Sequence, residues 1–220
     1  MQAIMESIFD AAYLVTAITL GVLILRNAKG RRQFVLFGAM TLLLGCGDAF
    51  HLVPRIIALN TTGVADYAAA LGFGTLVTSV TMTVFYVLMY HVWQLRYNAA
   101  SRKPLTAAVY ALAIIRIALC LFPQNAWTSA DAPYIWGIYR NIPFALLGIL
   151  IIALFYGKRG DRHFRFMWAA IALSFAFYAP VVLFADSIPA IGMLMLPKTC
   201  AYVWMIWMGY RASKESAPAR

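Results

Sequence analysis

The sequence predicts an all-α fold: a polytopic integral membrane protein built as a bundle of seven transmembrane helices. The first observation is composition, since 63% of the 220 residues are hydrophobic and 12% are charged, whereas soluble domains have about 45–50% apolar and about 25% charged residues. Too few polar residues remain to cover such a core in water. The second is that the apolar residues form seven long runs, and the third is that basic residues alternate between connections. Together they exclude a soluble enzyme, a disordered chain and a secreted disulfide scaffold.

The seven apolar runs define the predicted helices, because a helix needs about 20 mostly apolar residues to cross a bilayer. Taken in order, the runs cover residues 5–25, 34–57, 67–94, 105–122, 134–156, 164–186 and 188–210. Connections rich in Asn, Gly, Pro and charged residues separate the first six runs, at residues 27–32, 60–66, 98–104, 123–133 and 157–161. We therefore expect one seven-helix transmembrane domain over residues 1–210 and a short basic cytoplasmic tail over residues 211–220.

The basic residues predict the orientation of these helices. Fourteen of the 18 lie after the first, third and fifth runs or in the tail: Arg26, Lys29, Arg31, Arg32, Arg96, Arg102, Lys103, Lys158, Arg159, Arg162, Arg165, Arg211, Lys214 and Arg220. Because cytoplasmic loops carry the excess of Lys and Arg, we expect the amino end outside, the carboxyl end in the cytoplasm and a multi-pass location in the cell inner membrane. The net charge of +10 is thus interpreted as topology, and no nucleic acid partner is expected.

Four basic residues lie instead within the apolar runs or at their outer edges: Arg55, Arg116, Arg140 and Lys198. Asp48 and His51 share one helical stripe with Arg55, since their spacings are three and four residues. Asp186 lies near the outer end of the sixth run, and Asp10 joins the cluster from the first run. An ionised side chain at mid-bilayer costs about 3 kcal/mol on insertion scales. We therefore expect these groups to face one another, or a wet cavity, in the outer half of the membrane.

A purely structural interpretation stays open for the single pairs. In that interpretation Asp48 with Arg55, or Asp186 with Lys198, forms an ion pair that holds the helices in register. The hydroxyl groups that recur every four residues in the third run then serve helix packing: Thr75, Ser79 and Thr83.

The residue types disfavour a metal or another cofactor. A zinc site needs three or four His, Cys or carboxylate ligands, but only His51 lies at the right depth, and the four cations oppose a metal ion. Lys198 resembles the retinal-binding lysine of opsins only in its position in the seventh helix. A retinal Schiff base needs a carboxylate counter-ion, and the third run has none, so retinal is also disfavoured. We expect a metal-free site in which Asp48 is the base or orients His51, and Asp186 assists. The expected substrate-binding residues are Arg55, Arg116, Arg140, Asn141, Lys198, Tyr178, Tyr202 and Ser79.

Two short segments resemble motifs of the YhhN lysoplasmalogenase family. LLLGCGDAFHLVPR (residues 42–55) is similar to the family's Gly-Asp-x-x-Leu…Pro motif, with Asp48 at the acid, and LFADSIPAIG (residues 183–192) is similar to its Ser-Asp-Ser segment, with Asp186 at the second acid. The resemblance implies hydrolysis of a vinyl-ether or related lysolipid, with both acids essential. The chain departs from the family in its span number, since those proteins usually have eight, and in the family histidine, which is replaced near Ser79.

The predicted function is that of a metal-independent, lipid-active enzyme, a hydrolase of lysolipids that acts on an anionic amphipathic substrate. Planar guanidinium groups match the geometry of phosphate, which suits the arginines to such a headgroup. The alternative is a small-molecule transporter or a seven-helix receptor that uses the same pocket without covalent chemistry. In either case the expected partner is a membrane lipid or an amphipathic small molecule.

Overall fold

A computed structural model describes residues 2–99, 103–129 and 132–214, and this part of the chain is helical, with no strand. Its seven long helices are α1 (Gln2–Ala28), α2 (Arg32–Asn60), α3 (Ala68–Arg96), α4 (Lys103–Leu121), α5 (Tyr134–Tyr156), α6 (Met167–Phe184) and α7 (Met195–Ser213). All seven are long and apolar enough to cross a membrane. The predicted all-α bundle of seven helices is thus confirmed. Arg102, Arg220 and most of the predicted tail lie outside the described residues.

The helices differ from the predicted runs mainly around α6 and α7. Residues 164–166, which the sixth run included, form turns ahead of α6, because the Asp161 carboxylate accepts hydrogen bonds from the backbone N–H groups of His163 and Phe164. The seventh run is split into a short 3₁₀ helix at Pro189–Leu194 and α7. A second short 3₁₀ helix, Pro123–Asn125, follows α4.

The bundle has two distinct ends, which we name by their connections. The basic end carries the α1–α2, α3–α4 and α5–α6 connections and the carboxyl end of α7, as shown by Arg31 donating a hydrogen bond to the Ser213 carbonyl. The far end carries the α2–α3, α4–α5 and α6–α7 connections, where Asn60 donates to Ser7 and Tyr134 donates to the Leu183 carbonyl.

Helix α2 packs along α1 and α3, and α7 closes the bundle against α6 and α1. Glycines allow α2 and α3 to approach closely, since a Cβ on Gly74 would overlap the backbone of Phe50 and one on Gly47 would overlap Thr81. Small residues at such contacts are typical of helices that pack within a membrane.

The inside of the bundle is aromatic, and much of its outside is apolar. Tyr86 of α3 is fully buried and contacts the rings of Phe144 and Phe175 edge-on or tilted, at 5.3 and 5.4 Å between centroids. Large apolar side chains such as Ile114 and Ile149 are 64% and 62% exposed. Such a surface suits lipid rather than water, because large contiguous apolar surface is rare on soluble monomers.

At the basic end, one carboxylate fastens the α5–α6 connection to the end of α3. Arg96 donates two hydrogen bonds to Asp161, and the Tyr97 hydroxyl donates a third at 2.9 Å. Burial alone would raise the pKa of the Asp161 carboxyl, but the hydrogen bonds from Arg96 and from the His163 backbone, with the Arg96 charge, hold that pKa well below its usual range. Asp161 therefore stabilises the fold in its ionised form.

This contact predicts an acid-sensitive contribution to stability. Asp161→Asn is expected to lower the free energy of unfolding at neutral pH by about 1.5–3 kcal/mol, the range for hydrogen bonds to a charged group. Because the folded pKa is depressed, the contribution is present above the unfolded value of about 3.9 and is lost as pH falls through the folded one. Thermal unfolding in detergent at neutral and acidic pH measures this difference. The control is Asp66→Asn in the exposed α2–α3 connection, and an Asp161 effect that stays constant with pH would contradict the prediction.

Candidate functional site

The structure divides the predicted cluster into two neighbouring groups. One group lies between α1, α2 and α7 and contains acidic side chains together with His51 and Arg55. The other lies between α3, α4, α5 and α6 and contains Arg116 and Arg140 among aromatic rings. Lys198 of α7 lies between them, since its charge interacts with that of Asp48 in the first group and with that of Arg116 in the second.

Asp48 is held by a residue of α1. The Tyr13 hydroxyl donates a hydrogen bond of 2.5 Å to the Asp48 carboxylate, and Tyr13 itself is buried. Asp48 does not pair with Arg55, which instead donates to Glu6 of α1 at 2.9 Å. The ion pair between Asp48 and Arg55 that the sequence left open is therefore not formed. Each of the two side chains contacts a residue of α1 instead.

The contacts of His51 indicate where its proton lies. Its Nδ1 lies 3.1 Å from the Leu71 carbonyl oxygen and 3.2 Å from the Thr75 hydroxyl. The Thr75 hydroxyl already donates to the same Leu71 carbonyl at 2.8 Å, so both neighbours of Nδ1 accept. The hydrogen-bond pattern thus assigns the proton of the neutral ring to Nδ1, and Nε2 keeps a lone pair that can accept a proton or a hydrogen bond.

A pocket of about 340 Å³ lies at the far end of the bundle, between α1, α2, α7 and the 3₁₀ helix before α7. Its polar lining consists of Glu6, Asp10, His51, Arg55 and Thr199. Apolar side chains that include Phe9, Leu52, Met193 and Leu196 complete the wall. We call this cavity the far-end pocket, and its volume falls within the range of small-molecule sites.

Arg116 is the most deeply buried of the predicted binding residues, with 2% of its surface exposed. Its guanidinium carbon lies 3.3 Å from the centre of the Phe144 ring, a cation–π contact. Within residues 2–99, 103–129 and 132–214, Nε and Nη1 of Arg116 have no hydrogen-bond partner. A buried cation without a carboxylate partner is costly, so the structure presents an uncompensated positive charge here.

Lys198 lies against aromatic rings and forms no salt bridge with the described residues. Its Nζ lies 4.6 Å from the centre of the Tyr178 ring and 5.6 Å from that of Tyr202. The Tyr202 hydroxyl lies 3.3 Å from that of Tyr86, which also lies 3.4 Å from Ser174. Ser79 is buried on α3, the helix that carries Tyr86. Tyrosine rings and the Asp48 charge therefore stabilise the Lys198 ammonium. The other structural pair that the sequence left open, Asp186 with Lys198, is not formed.

Arg140 and Asn141 have contacts that hold the fold together. Arg140 donates to the Asn125 side chain at 2.9 Å and lies over the Trp127 ring at 4.4 Å. Asn125 in turn donates to carbonyl groups at the end of α4, at Leu119, Cys120 and Phe122. Asn141 accepts a hydrogen bond of 3.1 Å from Tyr178. Arg140 thus fastens the α4–α5 connection, a task that the sequence analysis did not assign to it.

Asp186, a predicted catalytic acid, does not line the far-end pocket together with His51. It is exposed in the turn that follows α6, not within the helix, because α6 ends at Phe184. In the part of the chain that the structure describes, no hydrogen bond or ion pair joins Asp186 to another residue.

Two residues of α1 belong to the site without being among the predicted catalytic or binding residues: Asp10, which the sequence analysis placed in the cluster, and Tyr13, which it did not single out. Asp10 lines the far-end pocket, and Tyr13 donates to Asp48. Glu6, Asp10 and Tyr13 are spaced four and three residues apart, which places them on one face of a helix. That spacing is a signal in the sequence, although α1 carries no intramembrane cation to draw attention to it.

The fold and this site together define the class of the protein: a multi-pass membrane protein whose seven helices enclose charged side chains at the far end. Comparison of the chain with models of known protein families, with curated proteins and with solved structures gave no match. Its function is therefore inferred from the side chains themselves.

Proposed function

We propose that this protein binds an anionic amphipathic molecule from the membrane and hydrolyses it, as a metal-independent hydrolase of lysolipids in the cell inner membrane. The observation that carries this proposal is the guanidinium of Arg116, which is 2% exposed within the bundle and has two nitrogen atoms without hydrogen-bond partners among the described residues. Because a buried charge is tolerated when it is paired, a phosphate or carboxylate of the ligand supplies the missing partner. Lys198 adds a second positive charge nearby.

An apolar groove supports an amphipathic ligand. It has a volume of about 180 Å³, lies between α5 and α6, and is lined by Ile142, Ala145, Val182 and other residues. Phe144 and Tyr178 also line it, and these are the rings that contact Arg116 and Lys198. One molecule with an alkyl chain in the groove and an anionic head at Arg116 matches both features.

The chemistry proposed for the site is acid–base hydrolysis at His51. The lone pair of Nε2 takes a proton from water while the water oxygen bonds to carbon, and the same proton then passes to the leaving oxygen of the cleaved carbon–oxygen bond. Asp48, one turn before His51 on α2, stabilises the imidazolium that forms. No metal takes part in these steps. We propose further that the far end faces outward, since the positive-inside rule puts the basic end in the cytoplasm.

The second candidate is a transporter or receptor that binds the same ligand without changing it. The observation that favours it is the hydrogen bond from Tyr13 to Asp48, because this carboxylate is engaged by a tyrosine rather than by His51. Such a site holds charges in place but does not orient a base.

An assay with purified protein separates the two candidates. Incubation with a panel of lysophospholipids is expected to release products at a rate that a chelator does not change. Asp48→Asn and His51→Gln are expected to abolish turnover by removing the ionisable groups, whereas Arg159→Gln, an exposed residue at the basic end, keeps wild-type rates. Saturable stabilisation by lysolipid without any product would reject the hydrolase and support the second candidate.

A further inference from the structure

We propose that the far-end pocket is a binding site for an organic ammonium ion, a protonated primary or secondary amine on an apolar body. This site goes beyond the proposed function, which places the anionic group of its ligand at Arg116, and the two share His51, which lines the pocket. It rests on three features of the pocket: an unpartnered buried carboxylate, a set of hydrogen-bond acceptors and an apolar wall.

The unpartnered carboxylate is that of Asp10. It lines the pocket and is 8% exposed, yet among the described residues it forms no hydrogen bond or salt bridge. The other carboxylates nearby are engaged, since Glu6 pairs with Arg55 and Asp48 accepts from Tyr13. A buried ionised carboxylate without a partner is strongly unfavourable, so a cation that enters the pocket gains the interaction that the protein leaves open.

The net charge of the lining favours a cation over an anionic group. Two carboxylates and one guanidinium line the pocket, those of Glu6, Asp10 and Arg55, and the charges of Arg55, Glu6 and Asp48 all act on Asp10. Arg55 forms its salt bridge with Glu6 and not with Asp10, so the three ionised side chains together leave one net negative charge in the lining. An anion would meet the uncompensated charge of Asp10, whereas a cation would neutralise it.

The uncharged polar groups of the pocket are hydrogen-bond acceptors, so they favour cations that carry N–H donors. His51 uses its Nδ1–H towards Leu71 and Thr75, so its Nε2 accepts. The Thr199 hydroxyl donates its hydrogen to the Met195 carbonyl at 2.9 Å, which leaves its oxygen to accept. With Asp10, these groups match the N–H donors of a primary or secondary ammonium ion. A quaternary ammonium ion has no such donors and would leave the acceptors unsatisfied.

The remaining wall is apolar and adaptable. Phe9, Leu52, Met193 and Leu196 face the cavity, and methionine side chains fit varied shapes because they are unbranched and flexible. A ligand with an ammonium group at one end and an apolar body at the other therefore satisfies both parts of the lining. A bare inorganic cation would use only the polar part.

Binding of simple amines to the full-length protein in detergent tests the proposal. The probes are 2-phenylethylamine and hexylamine. The uncharged control is 2-phenylethanol, which has a hydroxyl group in place of the ammonium group of 2-phenylethylamine. Binding is measured by titration calorimetry and by the shift in melting temperature. We expect saturable binding of both amines and a shift at least several-fold larger than that with the alcohol. Absence of saturable binding of both amines, or equal binding of the alcohol, would overturn the proposal.

Variants assign the binding to the pocket. Asp10→Asn is expected to weaken amine binding at least tenfold, Asp10→Glu to restore most of it by keeping the charge, and Asp66→Asn to leave it unchanged. If Asp10→Asn does not fold, amine binding by Asp10→Glu and the competition with inorganic cations described below still test the site. Unaltered binding in Asp10→Asn would refute the site.

Two further measurements distinguish this site from other ones. Amine binding is expected to be the same in Arg116→Met as in the wild type, so the ammonium site stands or fails independently of the proposed anion site. Sodium, potassium and caesium chlorides at equal ionic strength are expected not to compete with the amine. Competition by one of these ions at the affinity of the amine would instead identify an inorganic cation site.

Discussion

Replacement of Arg116 by methionine is expected to raise the melting temperature of the ligand-free protein while abolishing its affinity for anionic lysolipids. The wild-type guanidinium is 2% exposed, and two of its nitrogen atoms lack hydrogen-bond partners among the described residues. Methionine has a similar length and packs against Phe144 without a charge. Replacing buried charges by apolar residues of similar volume is often neutral or stabilising, by about 1–4 kcal/mol.

With lysolipid bound, the wild type is expected to become more stable than Arg116→Met, the reverse of their order without ligand. Saturating lysolipid is expected to raise the melting temperature of the wild type, because a ligand that binds only the folded state stabilises it, and to leave Arg116→Met unaffected. Thermal unfolding of both proteins with and without lysolipid measures this reversal. Arg140→Met is the informative comparison, since Arg140 holds Asn125 and Trp127 and its loss destabilises the protein without ligand. If Arg116→Met proves much less stable than the wild type, the guanidinium is a structural group, and the proposal of an anion site at Arg116 is rejected.

Substitution of Gly74 by alanine is expected to destabilise the bundle by about 3 kcal/mol, at the upper end of the range for overpacking. The added Cβ would overlap the carbonyl of Phe50 and the backbone of His51. Because backbone atoms cannot move aside as a flexible side chain can, α2 and α3 would have to separate along a major interface. The far-end pocket would change with them, since His51 lines it.

The control for this prediction is Gly137→Ala on α5. A Cβ at Gly137 would meet only the Arg140 side chain, at 3.8 Å, and alanine favours a helix over glycine by about 0.5–1 kcal/mol. The yield of folded protein and the melting temperature in detergent should therefore fall for Gly74→Ala and stay level or rise for Gly137→Ala. Equal behaviour of the two variants would show that α2 and α3 do not approach as closely as the structure indicates.

The sequence was a reliable guide to the helices and a partial guide to the site. Apolar runs identify transmembrane helices because the bilayer sets their length and composition, and six of the seven runs match single helices. The seventh run was too long by one 3₁₀ helix, Pro189–Leu194. Hydropathy could not detect this, because the segment is as apolar as the helix that follows it.

The partners of the charged side chains could not be predicted. A helical stripe shows that Asp48, His51 and Arg55 face one direction, but not which helix lies in that direction or how it is rotated. The structure places α1 there, so that Tyr13 and Glu6 take the partners that the sequence had left open. Likewise, Arg116 and Lys198 were expected among acids but lie against aromatic rings.

By itself, the sequence determined that the chain forms seven apolar helices and that four basic residues lie apart from the basic connections, because composition and spacing act along a single chain. Only the tertiary structure decided that these charges form two groups. One is an acidic pocket in which Asp10 forms no hydrogen bond or salt bridge with the described residues, and the other is an aromatic cage in which two nitrogen atoms of Arg116 lack hydrogen-bond partners among them. The physical reason is that the energy of a buried charge depends on the groups within a few ångströms of it. Those groups come from other helices, whose order and rotation follow from the packing of the whole bundle.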